Sequence, residues 1–286
     1  MKAGLIGLGA MGLGMARNLA KAGLLAAVYN RTESKAQDLA DELKVSAHTD
    51  PADLAQVVDV VLICISADQD VLAVVNAIAT SIKPGTVVID MSTVSSDTAL
   101  QASVILAEKQ ADFLDAPVSG GVEGAKNGTL VTMVGGDVDA LARVRPVLAA
   151  MTKRIVHMGP VGMGQATKAV NQIMCAGISQ AVTEALAFGQ AQGLPMDKVV
   201  DVISGGASGN WFLEHRGLTM TQGTFAPGFK LALHHKDLNI CRHMAEKSGS
   251  AIPLSDKTVE DYEQLMAQGF GDEDISALYR LKRDKK

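Results

Sequence analysis

The 286-residue sequence predicts an α/β chain: a doubly wound sheet in its N-terminal part, joined by a long helix to an all-α C-terminal domain. Three observations carry this reading. A glycine-punctuated turn follows an apolar run at the very start. Short β-branched runs then alternate with helical patterns as far as residue 158. After Gly162-Met163-Gly164 no strand pattern returns. At ~150 residues per domain the length accommodates two domains, expected at 1–162 and 163–286. Surface scaling has a 29.8 kDa chain burying roughly 70–75% of its unfolded surface, so neither disulfides nor metals are needed to hold it together.

In chain order, the first strand is expected at residues 3–7 and the first helix runs to about residue 22. The turn between them reads Gly7-Leu-Gly9-Ala-Met11-Gly12. Gly7 allows the tight turn, Gly9 lets backbone approach a diphosphate, and Gly12 lets the helix pack closely on the strand, as in a Rossmann-type dinucleotide site. The free N–H groups and positive end of the helix then hold the anion. Lys2 and the apolar stretch after it imitate a secretory leader, but the glycine spacing is wrong for an apolar leader core. A strand at 26–30 leads to a polar helix at 33–43. Residues 58–65 are continuously apolar and β-branched, as a strand buried on both faces of a parallel sheet requires. A helix at 71–81, the Pro84-Gly85 turn, a strand at 86–90, a helix at 95–110 and a strand at 111–116 follow. A strand at 130–134, a helix at 138–151 and a strand at 154–158 complete the alternation.

Residues 165–192 then form one Ala-rich helical stretch, ~42 Å long at 1.5 Å per residue, stopped by Gly193-Leu194-Pro195. Shorter helices are expected at 197–204, 210–221, 231–248 and 253–268. No Gly/Ser or Pro linker separates the two parts, so the long helix is expected to join them rigidly. The charge run at 280–286 reads as a solvated terminus.

Composition removes several function classes. With 48% apolar and 20% charged residues, intrinsic disorder is excluded. A net charge of −5 and only 3% aromatics argue against nucleic acid as a partner. No apolar run reaches the ~18 residues of a membrane span. Cys64, Cys175 and Cys241 form neither a CxxC pair nor a zinc site, and the six histidines show no metal-ligand spacing. A reducing, cytoplasmic setting is the simplest expectation, with no metal.

Cofactor choice is expected at the end of the second strand. An NAD enzyme places Asp or Glu there for the ribose 2′-hydroxyl, whereas this chain reads Asn30-Arg31-Thr32, with Lys35 a turn beyond. Arg31 can meet a 2′-phosphate bidentately, and Asn30 and Thr32 can donate to it. NADP(H) is therefore expected over NAD(H), which stays possible, and a solvated arginine at a helix start is the plain alternative. Met11 within the turn and Ile65 at the end of the 58–65 strand join the expected cofactor contacts.

Two further segments make a family visible. Asp115-Ala-Pro-Val-Ser119-Gly120-Gly121-Val-Glu-Gly-Ala is followed by Gly162-x-Gly164-x-x-x-Lys168-x-x-Asn171, and Lys236-Asp237-Leu238 lies near the C-terminus. With the N-terminal glycines, this chain resembles the β-hydroxyacid dehydrogenase family from end to end. The resemblance implies a hydride transfer between a nicotinamide cofactor and a small carboxylate-bearing 3-hydroxyacid, semialdehyde or glyoxylate-type substrate. It makes Lys168 the general acid/base and sets the substrate carboxylate on Ser119-Gly120-Gly121. It also makes Thr93 and Lys236 cofactor contacts. Many members carry proline after the strand matching 60–65 and beyond the Ser-Thr pair, where this chain has Cys64-Ile65-Ser66 and Val94-Ser95-Ser96-Asp97.

The residues themselves agree with that chemistry. Lys168 and Asn171 are three apart on one helix and share a face. Reduction of an aldehyde needs a proton for the developing alkoxide, which an ordinary lysine with a pKa of ~10.4 can donate. Asn171 can bond the substrate hydroxyl or its carboxylate. Met174, Trp211 and Phe212 are candidate pocket side chains, and the long helix suggests a homodimer or homotetramer. An NAD-linked 3-hydroxyisobutyrate dehydrogenase is the alternative within the fold, and a non-catalytic NADP-binding regulatory module the alternative outside enzymology.

Overall fold

A computed structural model describes residues 1–283. The chain divides into two compact units, Met1–Lys168 and Ala169–Lys286. In the first, nine strands and their helices follow in the order β1 (Ala3–Ile6), α1 (Ala10–Lys21), β2 (Leu25–Tyr29), α2 (Glu33–Leu43), β3 (Ser46–His48), α3 (Pro51–Val57) and β4 (Val60–Ile63). Next come α4 (Asp68–Ile78), β5 (Val87–Asp90), α5 (Ser96–Ala107), β6 (Asp112–Asp115), β7 (Val118–Ser119) and α6 (Gly121–Asn127). The unit closes with β8 (Leu130–Gly135), α7 (Val138–Ala149), β9 (Thr152–Gly159) and the start of α8 (Met163–Ala191).

The sheet order is β3-β2-β1-β4-β5-β6-β8-β7, with β9 paired to β8. Strands β3 to β6 are parallel throughout, and the strand order reverses between β1 and β4, where such sheets bind ligands. Every residue of β1, β4 and β5 is buried, which explains their unbroken apolar runs. Alternate residues feed opposite faces: Ala3 and Leu5 join one core with Met15 and Leu19 of α1, while Ile6 joins a second with Leu54 and Val75.

The sequence reading lacks β7 and α6 and differs from this unit in three further places. β3 has three residues, none of them buried, and therefore carries no apolar run. α3 begins with Asp50, whose side chain accepts from Ala52 N, and Pro51, a start signal that periodicity alone overlooks. The sheet is mixed at one edge, since β6 and β7 both pair antiparallel to β8.

The second unit is helical: the rest of α8, then α9 (Met196–Ser204), α10 (Trp211–Thr221), α11 (Leu231–Ser248), α12 (Pro253–Ala267), a 3₁₀ turn at Ile275–Leu278 and α13 (Tyr279–Arg283). Tyr262, Tyr279, Leu238 and Val259 are fully buried in its core. Phe212 packs into that core as well, whereas Trp211 and Met174 are exposed. Within the charge run, Arg280 and Lys282 are not solvated as expected, while Arg283 is exposed. Arg280 lies over Phe225 and Phe270, at 4.4 and 4.2 Å, and donates to the Glu273 carboxylate from Nε and Nη2. Lys282 stands 3.6 Å from the buried Asp261. Residues 284–286 of that run lie outside the described residues. No described helix is long and apolar enough to cross a membrane.

Candidate active site

The glycine turn at the end of β1 is shaped by contact. Gly7 has φ +99°, and a Cβ there would stand 2.2 Å from the Cys64 carbonyl oxygen and 2.6 Å from Ile65. A Cβ on Gly12 would stand 2.0 Å from the Gly7 carbonyl oxygen, whereas one on Gly9 would meet nothing within 4 Å. The turn is thus closed towards the sheet and open outwards at Gly9. Gly9 is the N-cap of α1, and no side chain caps that end. The first-turn N–H groups therefore keep their hydrogen-bonding capacity for an anion, and the cradle fits a dinucleotide diphosphate. Met11, half-buried on the first turn, packs on the core beneath.

Asn30 braces this loop. Its Oδ1 accepts from Leu8 N at 3.0 Å and its Nδ2 donates to Thr32 O at 3.1 Å, so both ends of the amide are used inside the protein. Thr32 is the N-cap of α2, makes no side-chain cap bond, and is exposed with Arg31 and Lys35. The Arg31 side chain is 87% exposed and 3.7 Å from Asp70, a separation and exposure at which the pair contributes little. Arg31, Thr32 and Lys35 are thus three exposed polar side chains at a helix end that no side chain caps.

At the ends of β4 and β5, Ile65 N donates to Ser92 Oγ at 3.0 Å, and Ser92 N donates to Asp90 Oδ1 at 3.0 Å. Thr93 follows, half-buried. Asp90 is wholly buried, and its Oδ2 has no hydrogen-bond partner. Burial first, and then the neighbouring Asp115 and Asp68 carboxylates, outweigh the Ser92 bonds and push its pKa up to about 6. Burial and Asp90 likewise push the Cys64 thiol up to about 12, so it is no nucleophile. The loop after β5 is held by side-chain bonds. Ser95 N donates to Asp68 Oδ1 at 2.8 Å and its hydroxyl caps α5, while Ser96 at the first helical position donates to Gly162 O at 3.0 Å.

The start of α8 is docked on the sheet, and this places Lys168. Asp115, at the end of β6, accepts from Gly162 N and Gln165 N, each at 2.8 Å. It is a buried carboxylate cap on the lysine-bearing helix. Burial raises its pKa, and these backbone N–H groups oppose the rise. Gln165 fills the gap beside it, with Nε2 donating to Ser92 O at 2.9 Å and Oε1 accepting from Val94 N at 3.2 Å. The approach requires glycine, because a Cβ on Gly164 would stand 2.5 Å from Met133 O and 2.6 Å from Asp115 O. Lys168 is 8% exposed, and its Nζ donates to Val118 O at 2.9 Å. The lysine is thereby set beside Ser119, Gly120 and Gly121, where φ of +130° and +60° at the two glycines turns the chain into α6. The sequence shows Asp115 only as the first residue of its motif and gives no sign of Gln165, because a buried glutamine has no periodic signature.

Asn171 and Lys236 belong to the helical unit. Asn171 is half-buried on α8, and Lys236, on α11, pairs with Asp237 Oδ1 at 2.9 Å. Among the described residues no group of three or more His, Cys, Asp or Glu side chains could hold a metal ion.

Comparison with known proteins decides the family. Residues 2–159 match the family model described as the NAD-binding domain of 6-phosphogluconate dehydrogenase. Residues 162–282 match the one described as NAD-binding of NADP-dependent 3-hydroxyisobutyrate dehydrogenase. The chain belongs to the β-hydroxyacid dehydrogenase family. As a member, it is an NAD(P)-dependent oxidoreductase of the 3-hydroxyacid dehydrogenase class, built on a nicotinamide-dinucleotide-binding domain. It is 36% identical to the 2-hydroxy-3-oxopropionate reductase of Escherichia coli, over 97% of this chain and 96% of that one. It is 35% identical to the NAD-dependent L-serine dehydrogenase of Pseudomonas aeruginosa, over 96% of each. Among solved structures, the Mycobacterium tuberculosis 3-hydroxyisobutyrate dehydrogenase with L-serine matches at a TM-score of 0.89 and 31% identity, covering 99% of both chains. This family member therefore has relatives whose stated cofactors and substrates differ, and its own must be argued from its residues.

Proposed function

We propose that this dehydrogenase is an NADP(H)-preferring reductase of small carboxylate-bearing semialdehydes or glyoxylate-type aldehydes, reversible as a 3-hydroxyacid dehydrogenase. Lys168 is its general acid/base. The observation that carries this is the fixed, nearly buried ammonium of Lys168, bonded to Val118 O one residue from the Ser119-Gly120-Gly121 turn. The bound nicotinamide supplies or accepts the hydride at the substrate carbon. Lys168 Nζ gives its proton to the oxygen of the carbonyl as that oxygen becomes an alkoxide, and the neutral amine is reprotonated from solvent. In oxidation the neutral amine takes the hydroxyl proton. The backbone N–H groups of Ser119, Gly120 and Gly121 bind the substrate carboxylate, Asn171 bonds a polar group of the substrate, and Lys236 contacts the dinucleotide. Gly7, Gly9, Met11 and Gly12 cradle the diphosphate, Ile65 and Thr93 line the cofactor further along, and Arg31, Thr32 and Lys35 read the 2′-phosphate.

The deciding experiment is a screen of glyoxylate, succinic semialdehyde, tartronate semialdehyde and methylmalonate semialdehyde with NADPH and NADH, run on the wild type and on Lys168→Ala. Turnover by the wild type and a drop of roughly 10²–10⁴ in the variant, with dinucleotide affinity kept, is the expected result. Near-normal turnover by Lys168→Ala at saturating substrate would remove the lysine from the chemistry. Val170, Met174 and Phe188 stand exposed along one side of α8, at positions i, i+4 and i+18, and suit the proposed self-association. Light scattering of the full chain tests it.

A further inference from the structure

Gln172 follows Asn171 on α8 and is 1% exposed. Its Nε2 donates to Asp237 Oδ2 at 2.6 Å, and its Oε1 accepts from Asn171 Nδ2 at 2.7 Å. Asp237 is 4% exposed, and its other oxygen holds Lys236 Nζ at 2.9 Å. Four side chains of α8 and α11 therefore form one line, Asn171–Gln172–Asp237–Lys236.

The direction of every bond in that line is dictated by its charged end. An ammonium only donates and an ionised carboxylate only accepts. Asp237 must therefore receive the NH2 end of Gln172, which turns the Gln172 carbonyl towards Asn171. Asn171 must answer with its own NH2 end, whose second contact is Cys175 Sγ at 3.6 Å. The Asn171 carbonyl is the end of that amide left outside the line. A reversed Gln172 would oppose like ends at both junctions, so the arrangement does not flip. The backbone is held too. The wholly buried His234 has Nε2 at 3.1 Å from Gln172 O and Nδ1 at 3.1 Å from Tyr262 Oη. A carbonyl only accepts, so His234 carries a proton on Nε2 and donates it to Gln172 O.

We propose that Gln172 is a positioning residue that ties the substrate-holding Asn171 to the dinucleotide-holding Lys236, and that it makes Asn171 present an acceptor. An acceptor matches a substrate hydroxyl and repels a carboxylate, which narrows the choice left open by the sequence. The proposal rests on the roles given above to Asn171 and Lys236.

The test is Gln172→Met, which keeps the length of the side chain and removes both bonds. Expected is a rise of about 10-fold in KM for the hydroxyacid and for NADPH together, the size of effect for one lost charge-assisted hydrogen bond. In the protein without dinucleotide, reductive methylation of Lys236, followed by mass spectrometry, should quicken several-fold as its Asp237 partner loosens. A fall in Tm with both KM values and the Lys236 labelling rate unchanged would make Gln172 merely structural and overturn the proposal. Movement of only one KM would overturn the coupling. If Gln172→Met does not fold, Gln172→Glu serves, since it keeps the acceptor for Asn171 but sets a carboxylate against Asp237. It should raise the NADPH KM and the labelling rate more than the hydroxyacid KM, and equal or opposite effects would again refute the line. A wild type that turns over none of the substrates would count against the proposed function, while the labelling arm would still decide the role of Gln172.

Discussion

Replacing Asp90 with asparagine should change how stability depends on pH, by an amount the structure sets. Asp90 has no exposed surface, one bonded oxygen and one buried oxygen without a partner. Its pKa stands at about 6 against an ordinary 3.8, with burial the main cause. At 1.36 kcal/mol per pH unit this is worth about 3 kcal/mol. The folded state holds the proton more tightly than the unfolded state. The stabilisation is therefore complete below about pH 3.8, declines as pH rises, and is lost above about pH 6. Asp90→Asn keeps the shape and the acceptor for Ser92 N but cannot ionise, so it shows no such decline. Unfolding free energies from urea titrations, followed by circular dichroism, should be compared for wild type and variant. The difference, variant minus wild type, should grow by about 2 kcal/mol from about pH 4.5 to about pH 7.5, because part of the decline already lies below that window. Groups common to both proteins cancel. A difference constant to within about 0.5 kcal/mol over that range would refute a buried, proton-retaining Asp90.

Other outcomes follow from the same geometry. Arg31→Ala should raise the NADPH dissociation constant roughly 10–100-fold and leave NADH binding nearly unchanged by fluorescence titration; equal losses would deny Arg31 a part in reading the phosphate. Asp115→Ala removes the acceptor for Gly162 N and Gln165 N, and should cost about 2–4 kcal/mol of stability and at least ~10-fold in kcat, with dinucleotide affinity held to within ~3-fold. Gly164→Ala forces the start of α8 off the sheet, since its Cβ would meet Met133 O at 2.5 Å. Its kcat should fall while the diphosphate cradle, far along the chain, still binds NADPH. Unchanged kcat in either variant would show that docking of α8 does not position Lys168.

Much of the fold is legible in the sequence because local chemistry decides it. The unbroken apolar runs of β1, β4 and β5 follow from burial on both faces. The cofactor cradle is legible for the same reason. Gly7, Gly9 and Gly12 answer a backbone requirement within a few residues of each other. The edge of the sheet is not legible locally, because β3 has too few buried residues to write a pattern and the antiparallel β6–β8 pairing is chosen by strands far apart in sequence.

The sequence by itself determines the α/β-then-helical order and the glycine turn after the first strand, since each rests on spacing along the chain. Only the tertiary structure decides what those residues work against. Asp115 and Gln165 are ordinary letters until the end of β6 and the loop after β5 converge on the start of α8 and give them N–H groups and a carbonyl to bond. Gln172 and Asp237 are likewise unremarkable until α8 and α11 come side by side and leave each with a partner of only one possible polarity. Arg280 reads as a solvated charge until Phe225 and Phe270 enclose it. Periodicity reports which face of an element is buried, but a buried polar group is held by partners distant in sequence, and those partners exist only once the chain has folded.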